Sequence, residues 1–178
     1  HKWYRDDYYI ESIPTEFIDE YAEKHNPPDP NDERFEPREE QKGNTARAMF
    51  YFHTIYSNVS DEDYWALQEE TFIDWHYYDL PDDIEINRTN AIESYQNNVN
   101  PYIIDPSLPG RVFLVPEGTL IGDINSDGNL DIIDIVSDIS HILGQSNLNQ
   151  TQIIIADVNY DLNLDVLDVV YIVQMILS

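Results

Sequence analysis

The protein has 178 residues, of which 35 are acidic and 9 basic, giving a formal net charge of −26, and 42% are hydrophobic. This size and apolar content suit one medium domain, with or without a small second one, and exclude wholesale disorder. The acidity argues against a protein that holds nucleic acid through a broad basic face, and the absence of cysteine excludes disulfides and thiol chemistry. The longest apolar run, 169–177, is too short to span a bilayer.

Taken in chain order, the first elements are helices. Residues 1–34 are polar and contain prolines, and one short helix is predicted near 15–24. Apolar residues at helical spacing predict a core helix over 42–56 and a second that begins after Ser60 or Asp61. A third follows Pro81 and ends at Asn97, a residue type that tolerates the left-handed conformation. Because no run alternates in polarity, at most one or two short strands are expected.

The second part of the chain contains two further apolar stripes. The residues before Pro101 and Pro106 favour extended backbone, and 115–120 is predicted to be a linker. Stripes over 132–143 and 166–177 predict two helices, each preceded by an acidic loop with no helix in front of that loop. The predicted organisation is therefore a region 1–114, the linker 115–120 and a domain 121–178.

An acidic twelve-residue segment occurs twice, at 123–134 and at 157–168, with a constant offset of 34 residues. In both copies, side chains that carry oxygen occupy the first, third, fifth, seventh, ninth and twelfth positions, which is the ligand spacing of a calcium loop. Residues 119–178 contain nine aspartates and no lysine or arginine. Folding of this segment is therefore expected to be coupled to binding of two Ca²⁺ ions.

The loop-then-helix duplication, with Asp rather than Glu at position 12, resembles a type I dockerin over about residues 120–178. Dockerins are small extracellular modules that fold around two Ca²⁺ and attach an enzyme to a cohesin receptor. The resemblance implies a pair of F-hand motifs, a cohesin-like or cell-surface protein partner, and a secreted or surface-attached protein. It implies these ligands: Asp123, Asn125, Asp127, Asn129 (through its carbonyl), Asp131 and Asp134 in the first site, and Asp157, Asn159, Asp161, Asn163 (through its carbonyl), Asp165 and Asp168 in the second.

Two departures from the dockerin pattern have consequences. The sixth loop position, where a sharp turn favours glycine, is Gly128 in the first copy but Leu162 in the second, so the second site is expected to be the weaker. Positions ten and eleven, where dockerins often carry hydroxyl residues that contact cohesin, are apolar in both copies. They are Ile132 and Ile133, then Val166 and Leu167. Burial between the two helices and an apolar docking patch both remain open.

A second resemblance covers about residues 35–106. The stretches FEPREEQKGNTARAMFYF (35–52) and EINRTN (85–90) with QNNVNPYI (96–103) resemble bacterial endonuclease I, a secreted or periplasmic nuclease family with a ββα-metal centre. The resemblance implies a mainly α-helical half of such a nuclease, acting on DNA or RNA. In that family a histidine activates water against a phosphodiester while a neighbouring acid and an asparagine hold one Mg²⁺.

Those catalytic residues lie upstream of the first stretch, and nothing in residues 1–34 matches them. We therefore name no catalytic residue, and expect that the N-terminal catalytic part is missing and that this chain alone is inactive. The candidates for phosphate contact are Arg47 and Arg88. The alternatives are an ion pair with Glu85 for Arg88, and a capping or packing role for Arg47. His53 and His76 lie among aromatic residues and are interpreted as core or rim residues.

Two functions are consistent with these patterns. The first is the C-terminal portion of a secreted, Mg²⁺-dependent endonuclease that carries a calcium-binding module for tethering or assembly. The alternative is a non-catalytic, calcium-dependent binding protein in which the helical half is a scaffold.

Overall fold

The computed structural model describes residues 3–4, 16–17, 22–25 and 34–178. The chain divides into two compact units, 1–106 and 107–178. The predicted linker, 115–120, lies inside the second unit. The described part of the chain is mainly helical, as predicted.

The first unit contains a sheet of short strands in the order β1-β4-β3-β2. They are β1 (Trp3–Tyr4), β2 (Glu16–Phe17), β3 (Glu23–His25) and β4 (Arg34–Glu36). Strand β3 is antiparallel to both β2 and β4, and β1 is parallel to β4. The helix expected near 15–24 is therefore wrong where the structure describes that segment, and so is the limit of one or two strands. Strands of two or three residues are too short to show alternating polarity, and their pairing is non-local.

The helices of the first unit are α1 (Lys42–Ile55), α2 (Glu62–Tyr78), α3 (Asp83–Gln96) and the single turn α4 (Pro101–Ile104). The predictions of α1, α2 and α3 are confirmed. Asp61 and Asp82 cap α2 and α3 by accepting a backbone N–H three residues ahead, and α3 ends at Asn97 with φ of 55°. Asn100 and Asp105 are extended, as expected, but Pro101 then opens α4, because proline suits the first position of a helix.

An aromatic core joins these helices. The Phe50 side chain of α1 is fully buried, and its ring meets Trp65 and Phe72 of α2 edge-on, at centroid distances of 6.0 and 6.5 Å. The ring of Tyr102 of α4 is tilted against that of Phe50, at a centroid distance of 5.6 Å. The apolar stripes predicted for α1 and α2 thus form one core, and Tyr102 of α4, which no predicted stripe included, adds to it.

Gly43 marks a close approach between the start of α1 and the end of α2. A Cβ atom at this position would lie 1.8 Å from the backbone oxygen of Asp79. Gly43→Ala should therefore lower the free energy of unfolding of the first unit by about 1–3 kcal/mol, because the backbone must shift to admit a methyl group. Urea denaturation followed by tryptophan fluorescence measures this change. Asn90→Ala, on the exposed face of α3, is the control, and equal midpoints for the two variants would contradict the prediction.

The second unit contains α5 (Leu108–Phe113), α6 (Ile132–Ile142), α7 (Gln150–Ala156) and α8 (Val166–Leu177). The predictions of α6 and α8 are confirmed. Helix α7 stands directly before the second acidic loop, so the expectation of no helix there is wrong. This helix has only seven residues, too few for a periodic signal, and depends on a capping box between Asn149 and Gln152.

The core of the second unit is small. Ile124, Ala156 and Ile172 form its buried apolar cluster, with Leu130 and Leu164 packed against them. By contrast, the apolar pairs at loop positions ten and eleven are exposed. Ile132 is 70%, Ile133 53%, Val166 63% and Leu167 52% accessible. These four side chains are thus not buried between the helices. No described helix combines the length and apolar character that crossing a membrane requires.

Candidate functional sites

Arg47 points from α1 into the first unit and is fully buried. Its Nε and Nη2 donate to the two carboxylate oxygens of Glu85, at 3.0 and 2.5 Å, and Nη2 also donates to Asn44 Oδ1 at 2.8 Å. Its Nη1 donates to the Asp79 carbonyl at 2.6 Å and faces His76 Nδ1 at 3.3 Å. All five N–H groups of the guanidinium are engaged. Arg47 therefore braces α1 against α2 and α3, and has no donor left for a phosphate.

His76 is held in one tautomer by this network. Because Arg47 is always a donor, His76 Nδ1 accepts, and His76 Nε2 then donates to the Pro106 carbonyl at 2.8 Å. Burial, followed by the charge of Arg47, lowers the pKa of His76 from 6.5 to about 4, against a raising effect of the Pro106 hydrogen bond. His76 is therefore a neutral core residue, as the sequence indicated.

The pKa of His76 predicts an acid-dependent loss of stability. Between pH 6.5 and about 4, the unfolded chain binds a proton that the folded chain does not, so stability falls as the pH falls through this window. The full loss is about 3 kcal/mol. Urea unfolding of the first unit, followed by tryptophan fluorescence across this pH range, measures it. His76→Gln, which can keep both hydrogen bonds, should unfold with a flatter pH dependence, and an unchanged slope would contradict this assignment.

Arg88, unlike Arg47, is exposed and has a guanidinium that no described residue engages. It is exposed on α3 and makes no hydrogen bond or ion pair with the described part of the chain. The expected pair with Glu85 does not form, because both oxygens of Glu85 bind Arg47. Arg88 borders an open cleft of about 210 Å³, which is also lined by Asn44, Tyr51 and Asn98. The cleft thus places hydrogen-bonding groups beside the Arg88 guanidinium, together with apolar side chains such as Ile92 and Ile103.

In the second unit, the two acidic loops have the same hydrogen bonds. Asp134 Oδ1 accepts from the N–H groups of loop positions two and three, at 2.9 and 3.3 Å, and Asp168 Oδ1 does so at 3.1 and 3.3 Å. Asp123 Oδ2 accepts from the N–H of position six at 2.8 Å, and Asp157 Oδ2 at 2.9 Å. The repeat in the sequence is thus a repeat of loop structure.

Two positions in each loop have a left-handed backbone. At position six, φ is 83° for Gly128 and 66° for Leu162, so the strained conformation expected at Leu162 is confirmed. At position four, φ is 58° for Ser126 and 63° for Tyr160. Neither residue at position four is a glycine, so nothing in the sequence indicated a left-handed backbone there.

The chemistry of the donors fits a hard cation. Each loop provides four carboxylates, one amide side chain at position three and the backbone carbonyl of position seven, and oxygens of these kinds are the donors that Ca²⁺ prefers. Asp123 uses two of its roughly four acceptor positions on backbone N–H groups, and Asp134 uses three. In the described part of the chain, no three acidic or histidine side chains converge as a metal-holding group. The carboxylates of both loops turn instead toward the N–H groups of their own backbone.

Asp138 is a buried acid that the sequence reading missed. It lies on α6, is 0% exposed, and neither of its oxygens has a hydrogen-bond partner among the residues that the structure describes. Burial, followed by the charges of Asp168 and Asp165, raises the pKa of Asp138 to about 7. A comparison of the two copies of the repeat could have identified Asp138, because the second copy carries an apolar residue, Ile172, at the equivalent position.

One known family matches the first unit. The endonuclease I family model matches residues 15–107, which is more than half of the chain and ends at the boundary between the two units. The chain therefore belongs to the endonuclease I family. No curated protein and no solved structure matches the chain significantly.

Proposed function

We propose that this chain is part of a secreted, Mg²⁺-dependent endonuclease that hydrolyses phosphodiester bonds of DNA or RNA, and that its second unit is a dockerin-like calcium module for tethering. The family match over 15–107 is the observation that carries the nuclease. The first unit supplies a rigid helical scaffold, braced by the buried Arg47–Glu85 pair. The chemistry requires a general base and a metal-bound group, and we assign no residue of this chain to either role.

Arg88 is the proposed phosphate contact in this unit. Its guanidinium borders a cleft whose lining combines amide and phenol groups with apolar side chains such as Ile92 and Ile103. Arginine, amide and phenol groups bind the nucleic-acid backbone without reading sequence. Because the whole protein is strongly acidic, one exposed arginine in a cleft matters more than it would on a basic surface. Arg47 is not proposed for this role, because its donors are already engaged.

Plasmid nicking tests the nuclease proposal. The full-length gene product should cleave with Mg²⁺ and not with EDTA, and residues 1–178 alone should not cleave. Arg88→Ala in the full-length protein should weaken cleavage about tenfold, the effect of losing one hydrogen bond to a charged group, while Arg88→Lys should keep most of it. Absence of Mg²⁺-dependent cleavage by the full-length protein would favour the alternative, a non-catalytic calcium-dependent binding protein.

The duplicated loops support the calcium module. Both copies have the same network, in which a fully buried aspartate at position twelve organises the loop and caps the following helix. Bound Ca²⁺ would offset the negative charge of these loops and link each loop to its helix. We keep the ligands that the repeat predicts. Those of the first site lie between Asp123 and Asp134, and those of the second site lie between Asp157 and Asp168.

Leu162→Gly tests the calcium loops directly. Leucine at φ of 66° is strained and glycine is not, so relief of about 1 kcal/mol should tighten calcium binding at the second site several-fold. Isothermal titration should resolve two sites in the parent protein and show this change at one of them. Gly118→Ala, at another left-handed position outside both loops, is the matched control. Absence of calcium binding by the parent protein would refute the module.

The exposed apolar side chains of α6 and α8 support a protein partner. Ile132, Ile133, Val166 and Leu167 occur at the same two positions of each copy, beside the proposed ions. A monomeric protein rarely leaves such side chains exposed together, and they mark interaction surfaces. We propose that they contact a cohesin-like or cell-surface protein, and that the protein is secreted or attached to the surface.

A further inference from the structure

The carboxylate of Asp138 is buried without a hydrogen-bond partner among the described residues. Neither Oδ1 nor Oδ2 accepts a hydrogen bond from the part of the chain that the structure describes, and the side chain is 0% exposed. An isolated ionised carboxylate is costly to bury, so such groups are paired, bound to a metal or neutral. No lysine or arginine occurs after Arg111, and Arg111 lies over the ring of Tyr160, 4.1 Å from its centroid. His141, the one histidine after residue 107, accepts from the Leu148 N–H through its Nδ1 at 3.2 Å, and Asp138 is paired with no described side chain.

The 34-residue repeat indicates where Asp138 lies. Its equivalent in the second copy is Ile172, which packs beside the first loop, since a Cβ at Gly122 would meet Ile172 Cγ1 at 3.5 Å. Helices α6 and α8 pack against each other. By the same relation, Asp138 takes the equivalent place beside the second loop. The charges that act on its carboxylate are Asp168 and Asp165, the acids at positions twelve and nine of that loop.

We propose that Asp138 is an additional carboxylate of the second calcium site, donated from α6 to the ion or to a water on it. This inference rests on the calcium module proposed above. The second site then has five carboxylates from two segments of the chain, whereas the first has the four of its own loop. Charge count and rigidity set calcium affinity, so Asp138 offsets the strain at Leu162. It also makes the second ion a link between α6 and α8.

Two substitutions of Asp138 in the intact chain test this role by isothermal titration with Ca²⁺. Asp138→Asn keeps the shape and removes the charge, and Asp138→Ile introduces the residue of the other copy. Both should weaken one of the two sites about 10- to 100-fold and leave the other unchanged. Glu117→Gln, an exposed acid outside both loops, is the matched control for the loss of one charge.

Terbium luminescence assigns the affected site. Tyr160 lies inside the second loop and the first loop has no aromatic residue, so Tb³⁺ emission that Tyr160→Phe abolishes reports the second site. That emission should require more Tb³⁺ in both Asp138 variants. In EDTA, Asp138→Ile should melt at a higher temperature than the parent protein, because a buried unpaired charge has been removed. This arm also shows that the variant is folded.

Two results would overturn the role of Asp138. One is that both variants keep the parent affinities at both sites, and the other is that the loss falls on the site that Tyr160 does not report. A parent protein that binds no calcium would instead refute the calcium module itself.

Discussion

Arg47→Ala is expected to lower the free energy of unfolding of the first unit by about 3–5 kcal/mol, the typical cost of removing one partner from a buried ion pair. The substitution leaves Glu85 as a buried carboxylate without its charge partner. It also leaves the Asp79 carbonyl and Asn44 Oδ1 without the donors that they now have. Since these groups come from α1, α2 and α3, the loss should affect the whole helical core.

Urea denaturation followed by tryptophan fluorescence measures this loss, because every tryptophan of the chain precedes residue 107. Arg88→Ala, which removes an exposed arginine of the same unit, should change stability by less than about 0.5 kcal/mol. Arg47→Met combined with Glu85→Leu should recover much of the stability, because a buried pair can be replaced by apolar groups of similar volume. Equal midpoints for Arg47→Ala and Arg88→Ala would contradict the structural role.

Removal of calcium is expected to have the next largest effect, a loss of about 4 kcal/mol from the second unit when the free ion had been at a thousandfold excess over Kd. Asp134 and Asp168 are both 0% exposed, and their loops have no lysine or arginine to balance them. Without a cation, the nine aspartates of residues 119–178 repel one another and expand the unit.

Thermal melting followed by circular dichroism, with calcium and with EDTA, measures this effect. Asp134→Asn combined with Asp168→Asn should melt at the same temperature in both buffers, whereas Glu117→Gln should respond as the parent protein does. An identical melting profile of the parent protein in calcium and in EDTA would contradict the calcium module, whatever the behaviour of the first unit.

Long periodic elements and caps were readable from the sequence. The helices α1, α2, α6 and α8 follow apolar stripes, and Asp61 and Asn97 bound α2 and α3 as their residue types predict. On α3 the aligned apolar residues are exposed, and the buried residues are Glu85 and Thr89. The sheet and α7 were not readable, because strands of two or three residues and a seven-residue helix carry no measurable period. Those elements depend on pairing with distant residues and on caps.

The candidate sites divide in the same way. The duplicated acidic loops were visible as a spacing, because all their donors lie within twelve residues. The roles of Arg47 and Arg88 were not visible in the sequence. Arg88 lies one helical turn from Glu85 and is the partner that sequence spacing suggests, whereas Arg47 is 38 residues away. Only the fold shows that Glu85 faces α1, which buries Arg47 and leaves Arg88 exposed. Asp138 was hidden for a related reason, because a lone acid on an apolar helix is usually solvated.

The exposed apolar side chains at the start of α6 and α8 should also affect how molecules of this protein associate with one another. At low ionic strength the uniform negative charge keeps separate molecules apart even though these side chains are uncovered. Added salt shortens the reach of that repulsion to about 10 Å at 0.1 M, so hydrocarbon on one molecule can then meet hydrocarbon on the next. Added salt, which raises the solubility of many proteins, should therefore promote self-association of this one until a binding partner covers these apolar side chains.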